Sequence, residues 1–197
     1  MTEFDEADWR ERLRESRAEK DEFLSTDRRS PLSPAVREEF DGLEYFEPAP
    51  AYRVEATVRI DDDAEPVEAT VENGDPQRLV PVVTFEFELP TAGGDDTVAE
   101  SVCGYRPTGG GDGIFVPFRD KTTGQATYRG GRYLDFHPES ELTDGDEVVV
   151  DFNLAYTPFC AFDDAFACPL PPEENWLSTT VPAGERAPDL EAATTES

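Results

Sequence analysis

Lysine, histidine and cysteine are all scarce in this chain. Lys20 and Lys121 are its lysines, His137 its single histidine, and Cys103, Cys160 and Cys168 its cysteines. The lone histidine shows no Ser-His-Asp ordering around it, which argues against that hydrolase pattern. A glycine-rich phosphate loop is also missing, so the sequence names no cofactor. Three cysteines are too few for a disulfide scaffold. Nothing approaches the run of about 18 apolar residues that a membrane span needs. Met1 to Trp9 carries neither a basic region nor an apolar one, so no secretory leader is expected.

What the chain has in excess is acid. Asp and Glu number 45 against 17 Lys and Arg, a net charge of −28 in 197 residues. The acids recur from Glu3 to Glu196, so the charge belongs to the whole surface. Self-repulsion on this scale opposes compactness in dilute buffer. Salt relieves it, because the Debye length falls to about 3 Å at 1 M. The composition reads as a salt-adapted cytoplasmic protein of a halophile; the alternative is an acidic mesophilic protein with a disordered tail. Nucleic acid is not an expected partner, since its phosphates would meet a field of the wrong sign. The length suits one domain with a real core.

Thr2 to about Phe23 reads as a helix capped by Thr2 or Asp5, with Glu and Arg alternating through its body. Its apolar residues, Phe4, Trp9, Leu13, Phe23 and Leu24, form a narrow stripe, enough to dock on a sheet. Residues 1–30 are therefore taken as an N-terminal helical arm. Ser30-Pro31 and Ser33-Pro34 end it, and Pro34 can open a short helical turn to Phe40.

From Tyr52 onward the period changes to two. Tyr52, Val54, Ala56, Val58 and Ile60 share one face of a strand. Val67 to Val71 and Leu79 to Leu89 follow, separated by Asn73-Gly74, a strong turn signal, and the second places Val83, Phe85, Phe87 and Leu89 on one face. Thr97 to Tyr105, Ile114 to Phe118, Arg132 to Phe136 and Glu147 to Asn153 are further strands, with Leu177 to Val181 as a possible last one. Gly109-Gly110-Gly111 reads as a flexible link. Short strands at regular spacing predict a mainly β fold over 31–187: an antiparallel β-barrel or β-sandwich, with the N-terminal helix packed outside. Residues 188–197 have little to bury and are expected to be disordered.

The most distinctive stretch runs from Ile114 to Leu177. It contains Phe118-Arg119-Asp120, Gly130-Gly131-Arg132-Tyr133-Leu134-Asp135, Asp151-Phe152-Asn153, Ala155-Tyr156 and Cys160-Ala161-Phe162, then Cys168-Pro169-Leu170-Pro171-Pro172 with Glu174-Asn175. This pattern closely resembles a family known as domain of unknown function sixteen eighty-four. The resemblance extends upstream through Ser30-Pro31-Leu32, Gly42-Leu43, Tyr45-Phe46 and Tyr52-Arg53, and downstream to Ala183-Gly184-Glu185. It departs at Leu154, where the family usually has Arg, and at Thr157, where it usually has Asn. The resemblance implies a shared fold and a shared site, and no particular reaction.

Between Ile114 and Phe136 the charge reverses: Arg119, Lys121, Arg129 and Arg132 face only Asp120 and Asp135. Two readings follow. Guanidiniums here can fork onto the carboxylate or phosphate of an anionic small molecule. Alternatively, Arg119-Asp120 and Arg132-Asp135 are internal ion pairs. Asp151 and Asn153 fall on one strand face and Tyr156 lies just beyond, so the candidate ligand-binding set is Arg119, Asp120, Arg132, Tyr133, Asp151, Asn153 and Tyr156. The same residues could instead form a structural hydrogen-bond network in a non-catalytic interaction module with a protein partner.

Cys160 and Cys168, flanking Ala161 to Ala167, admit four readings. They are buried reduced cysteines, a local disulfide, metal ligands with Cys103 and His137, or a nucleophile activated by Arg119 or Arg132. The spacing matches no zinc signature. The segment Cys168 to Asn175 is stiff and polyproline-like, either a lid over Phe159, Phe162 and Phe166 or a rigid crossover.

Overall fold

The computed structural model describes residues 4–72, 74–94, 96–106 and 113–188. Asn73 of the expected Asn73-Gly74 turn, the Gly109-Gly110-Gly111 link and all but the first residue of the 188–197 tail lie outside the described residues.

Helix α1 spans Glu6–Thr26. Its cap is Asp5, whose carboxylate accepts from the amides of Ala7 and Asp8 and satisfies donors the first turn leaves free. Trp9, Leu13 and Leu24 are its buried side chains, a stripe narrower than the sequence suggests, with Phe4 largely exposed. The short α2 spans Pro34–Glu39, capped by Ser33 with Pro34 at its start, as expected.

The main body is one antiparallel sheet curled into a half-barrel. Its strands are β1 (Arg53–Arg59), β4 (Pro81–Pro90), β5 (Thr97–Tyr105), β6 (Ile114–Phe118), β7 (Arg132–Phe136) and β8 (Glu147–Asp151), in the order β7-β6-β5-β4-β1-β8. Two short strands, β2 (Val67–Ala69) and β3 (Gln77–Leu79), form a separate ribbon. The predicted faces hold: Val54, Ala56 and Val58 on β1 and Val83, Phe85, Phe87 and Leu89 on β4 all point into one core. Phe118 and Phe152 pack edge to face there, centroids 5.2 Å apart.

The curl brings the two edges of the sheet together. After β8 the chain makes a single 3-10 turn, Phe152–Leu154, and then passes β7. Tyr133 and Tyr156 exchange backbone hydrogen bonds of 2.9 Å in both directions, linking β7 to the segment that follows β8. Helix α1 lies along this seam. Trp9 Nε1 donates to Asp151 at 2.7 Å near one end, and Phe23 stacks on Phe159 at 6.3 Å near the other.

Three expectations about strands are corrected. Leu79 to Leu89 is not one strand but the end of β3 and most of β4, split at Val80-Pro81. Leu79 pairs with Val67 in the ribbon, and Pro81, with no N–H to give, opens a new strand in the main sheet. Glu147 to Asn153 stops at Asp151, because that carboxylate accepts the amide of Asn153 and turns the chain. Leu177 to Val181 runs beside the end of β6 through isolated contacts, Leu177 N to Arg119 O and Lys121 N to Thr179 O, without forming a strand.

The segment leading to Leu177 is a crossover pinned at intervals. Pro169 bridges to Val71. Fully buried Asn175 accepts from Cys103 N at 2.7 Å and donates to the carbonyls of Cys103 and Pro117. It stitches β5 to β6 beside the pairing of Tyr105 with Phe115.

Candidate functional site

The seven residues expected to line a pocket fall into three groups. The first is a buried knot. Arg132 is 1% exposed, and its Nη1 donates to the carbonyls of Ala183 and Glu185 while Nη2 donates to Val181 O at 2.8 Å. Nη2 also lies 3.4 Å from Asp120 Oδ1. Asp120 in turn accepts from Val181 N at 2.7 Å and from the Thr122 hydroxyl. The guanidinium rests on the Phe118 ring, 5.2 Å from its centroid. Burial lowers the Arg132 pKa, and the Asp120 charge opposes that shift. The pair joins β7 to the loop after β6 and to the stretch Val181–Glu185.

Arg119, one residue before Asp120, points elsewhere. It lies over Trp176 at 5.1 Å and lines a separate open hollow with Pro171, Pro172 and Glu174. Arg129 is exposed and pairs with Glu72 at 2.7 Å, and Lys121 is exposed. The four cations of the central stretch therefore do not face one common hollow. The expected ion pairing of Arg132 with Asp135 is also corrected. Asp135 accepts from Tyr156 Oη at 2.9 Å, because alternation on β7 places Asp135 on the opposite side of the strand from Arg132.

The remaining residues gather at the seam. Asp151 accepts from Trp9 and from both nitrogens of Asn153, and Asn153 closes a two-way bond with the Ala49 backbone. Tyr133 donates to Pro169 O at 2.5 Å, and its ring stands edge-on to Tyr156 at 5.8 Å. Asn153 and Tyr156 both line a hollow of about 160 Å³ between α1 and the turn after β8.

The other wall of that hollow is α1 itself. It presents Arg17 and Lys20, joined by Tyr45 and Glu185 from the body of the domain. Lys20 Nζ is ion-paired with Glu185 Oε1 and lies 4.9 Å from the Tyr156 ring centroid. Glu185 is 3% exposed and also accepts from Thr157 N at 2.7 Å. Arg17 stacks on Tyr45 at 4.5 Å, and burial lowers its pKa against the pull of Tyr45, Glu47, Glu185 and Asp151. Burial is also the main reason the Tyr45 and Tyr156 phenols are pushed well above their ordinary range, with Glu185 and other acids adding to it.

Arg17 differs from the other arginines in one respect. Its Nε and Nη2 are both shut off from solvent with no hydrogen-bond partner among the described residues. Arg119 and Arg132 each leave only Nε in that state. Nε and Nη2 are the two parallel donors with which a guanidinium grips a carboxylate side-on. A buried donor left unpaired costs about 1–3 kcal/mol, more where charge is involved, so such a fork is an unmet demand for an acceptor.

Arg17, Lys20, Tyr45 and Glu185 are absent from the sequence-based set. A signal for two of them was present. Trp9, Leu13, Arg17, Lys20 and Leu24 recur at helical spacing, so the two cations occupy positions of the docking stripe where apolar residues belong. Leu154 and Thr157, the two departures from the family pattern, both lie here. Leu154 lines the hollow, half exposed, and Thr157 is buried against Glu185.

The three cysteines are free thiols, each partly buried. Among the described residues no three His, Cys, Asp or Glu side chains gather as a metal would require. Among the described residues no helix is long and apolar enough to cross a membrane.

A protein-family model, "Protein of unknown function (DUF1684)", matches residues 38–186. The chain is 48% identical to the uncharacterized protein from gene locus rrnAC0354 of Haloarcula marismortui, known from a solution NMR structure. That likeness covers 94% of this chain and 97% of the other, with a TM-score of 0.71. No curated protein matches the chain. The matched stretch takes in β1 to β8, the buried Asp120–Arg132 knot and the turn carrying Asn153 and Tyr156, and the chain belongs to the DUF1684 family.

Proposed function

We propose that the protein binds a small monocarboxylate in the hollow between α1 and the turn after β8. The observation that carries this reading is Arg17, whose side chain lines a half-open hollow of about 160 Å³ and whose buried Nε/Nη2 fork has no partner among the described residues. Among the side chains lining that space Lys20 is already paired with Glu185, while Arg17 forms no ion pair among the described residues. A single charge with a planar fork suits a monoanion of a few carbon atoms better than a phosphate. Ala155, Leu13 and the Tyr156 ring supply apolar contact for the rest of the acid.

A second reading covers the central motif. The saturation of Asp120 and of both Arg132 Nη groups by protein partners supports a structural role for that pair, as in a non-catalytic module. On this reading Asn153 and Tyr156 are the members of the sequence-based set that meet ligand. The charge of −28 and the likeness to a protein of Haloarcula marismortui both support a working environment of high salt, as in a halophile's cytoplasm.

The test is a titration with propionate, lactate and inorganic phosphate in KCl at constant ionic strength, followed by amide and arginine Nε–H chemical shifts. Saturable shifts at Arg17, Asn153 and Tyr156 with the carboxylates, lost in Arg17→Met, are expected. A preference for phosphate, or an unchanged response in Arg17→Met, would overturn the reading.

A further inference from the structure

Where Tyr133 meets Tyr156 the half-barrel is closed; beyond that bridge its two edges part. Among the described residues β7 pairs with β6 and β8 with β1, and neither has a strand on its other side. A curled sheet that stops short of full closure keeps such edges, each a template for a further strand. Between these two lies a hollow of about 260 Å³, lined by residues of both strands. It shares only Leu154 with the hollow beside Arg17.

The backbone of both edges faces the gap. Tyr133 exchanges both its backbone bonds with Tyr156, so Asp135, two residues on, turns its N–H and C=O the same way. On the opposite side Val58 N donates to Asp146 O, and Gly145 N donates to Val58 O. By alternation Ala56 with Val148 and Val54 with Val150 close their bonds within the β1–β8 ladder, which turns the N–H and C=O of Val149 outward. The floor of the gap is the core itself: Phe85, Val116, Leu134 and Val150. Its rim is acidic. Asp135 and Asp151 follow the buried Leu134 and Val150 and so fall on the outer face. Asp135 accepts from Tyr156, and Asp151 from Trp9 and Asn153. These donors are neutral and leave both negative charges available to a cation.

We propose that the gap between β7 and β8 is a docking slot for an extended peptide of a partner protein, one whose residues alternate apolar and basic. Such a segment adds a strand between the two free edges. Its apolar side chains go down onto Leu134, Val150 and Phe85. Its Lys or Arg side chains point outward beside Asp135 and Asp151 as cross-strand ion pairs. The rim selects against acidic occupants. Residues 189–197 of this chain carry Asp189, Glu191 and Glu196 and no base, and a second copy would bring a further charge of −28.

The test is to titrate the full-length protein with acetyl-Lys-Val-Lys-Val-Lys-amide in KCl at constant ionic strength, following backbone amide shifts and hydrogen exchange. Its counterpart with Glu in place of Lys, a form N-methylated at alternate residues, and butylamine serve as comparisons. Saturable shifts at Asp135, Val149 and Val150 are expected with the basic peptide. Affinity should fall about tenfold with Glu in place of Lys, and about tenfold with the N-methyl groups, which remove strand hydrogen bonds. In the free protein the Asp135 and Val149 amides should exchange faster than those of Leu134 and Val150, and the peptide should slow them at least about tenfold, a comparison that needs no variant. Val149→Pro removes one outward N–H and none from the β1 ladder, so it should weaken binding while keeping the fold. Slow exchange at Asp135 and Val149 in the free protein, equal affinity for the three peptides, or the same shifts from butylamine would overturn the proposal. Self-association of the protein through these residues in place of peptide binding would overturn it as well.

Discussion

Lys20 on α1 is ion-paired with Glu185, a residue far along the chain whose side chain is 3% exposed, while Lys20 keeps 23% of its own side chain in contact with water. The asymmetry decides what each loss would cost. Without Lys20, a buried carboxylate stays behind with only the Thr157 amide to satisfy it. Without the Glu185 charge, Lys20 can still reach water.

Lys20→Met is therefore expected to cost about 3 kcal/mol, the loss typical of stranding one partner of a buried pair. Glu185→Gln should cost roughly 1 kcal/mol, since the amide oxygen can still accept from Thr157. Urea titrations at fixed KCl measure both. The reverse order would show that the carboxylate is better solvated than its burial implies.

Arg132 is the least replaceable cation. Its two Nη groups meet a carboxylate after β6 and three carbonyls of the stretch Val181–Glu185, two distant parts of the chain. An ammonium is a compact point charge and cannot span those positions. Arg132→Lys should lose at least about 2 kcal/mol and Arg132→Ala about 3–5 kcal/mol, enough to unfold a domain of ordinary stability. A double-mutant cycle with Asp120→Asn should show strong coupling. Additive losses would mean that the pair acts only through its carbonyl bonds.

Salt should stabilise the fold. With 45 acids and 17 bases, raising KCl from about 0.2 M to about 2 M shrinks the range of self-repulsion severalfold. The melting temperature followed by circular dichroism should climb across this range, most steeply at its lower end. A flat or falling curve would contradict salt adaptation.

Cys103 supplies a pH dependence. Burial on β5 raises its thiol from an ordinary value near 9 to about 11. An acid whose pKa is raised on folding binds its proton more tightly in the native state. Its contribution is complete below about pH 9 and is lost as pH rises toward about 11. Thiolate absorbance should show Cys103 ionising late in the folded protein and earlier in urea. In Cys103→Ala the fall in stability over that window should flatten.

Much of the scaffold could be read from local pattern. Period-two alternation marked the buried faces of β1 and β4, and Asp5 and Ser33-Pro34 marked helix starts. These signals are local: a side chain's direction follows from its neighbours a few residues away. The same reasoning failed at Val80-Pro81 and after Asp151. There one missing N–H and one side-chain carboxylate redirected the chain against an unbroken apolar run.

What the amino-acid order settled by itself is a capped helix, a set of short antiparallel strands, an acidic surface and a distinctive motif from Phe118 to Asn175. What only the tertiary structure decided is which charged groups keep company. Arg132 was drawn inward to Asp120 and three carbonyls, while Arg17 and Lys20, in the body of alternating Glu and Arg on α1, came to line one hollow with Asn153 and Tyr156. The reason is geometric. Arg17 and Lys20 stand more than a hundred residues from Asn153 and Tyr156, and they meet only because the sheet curls until Tyr133 and Tyr156 pair and α1 lies across the seam.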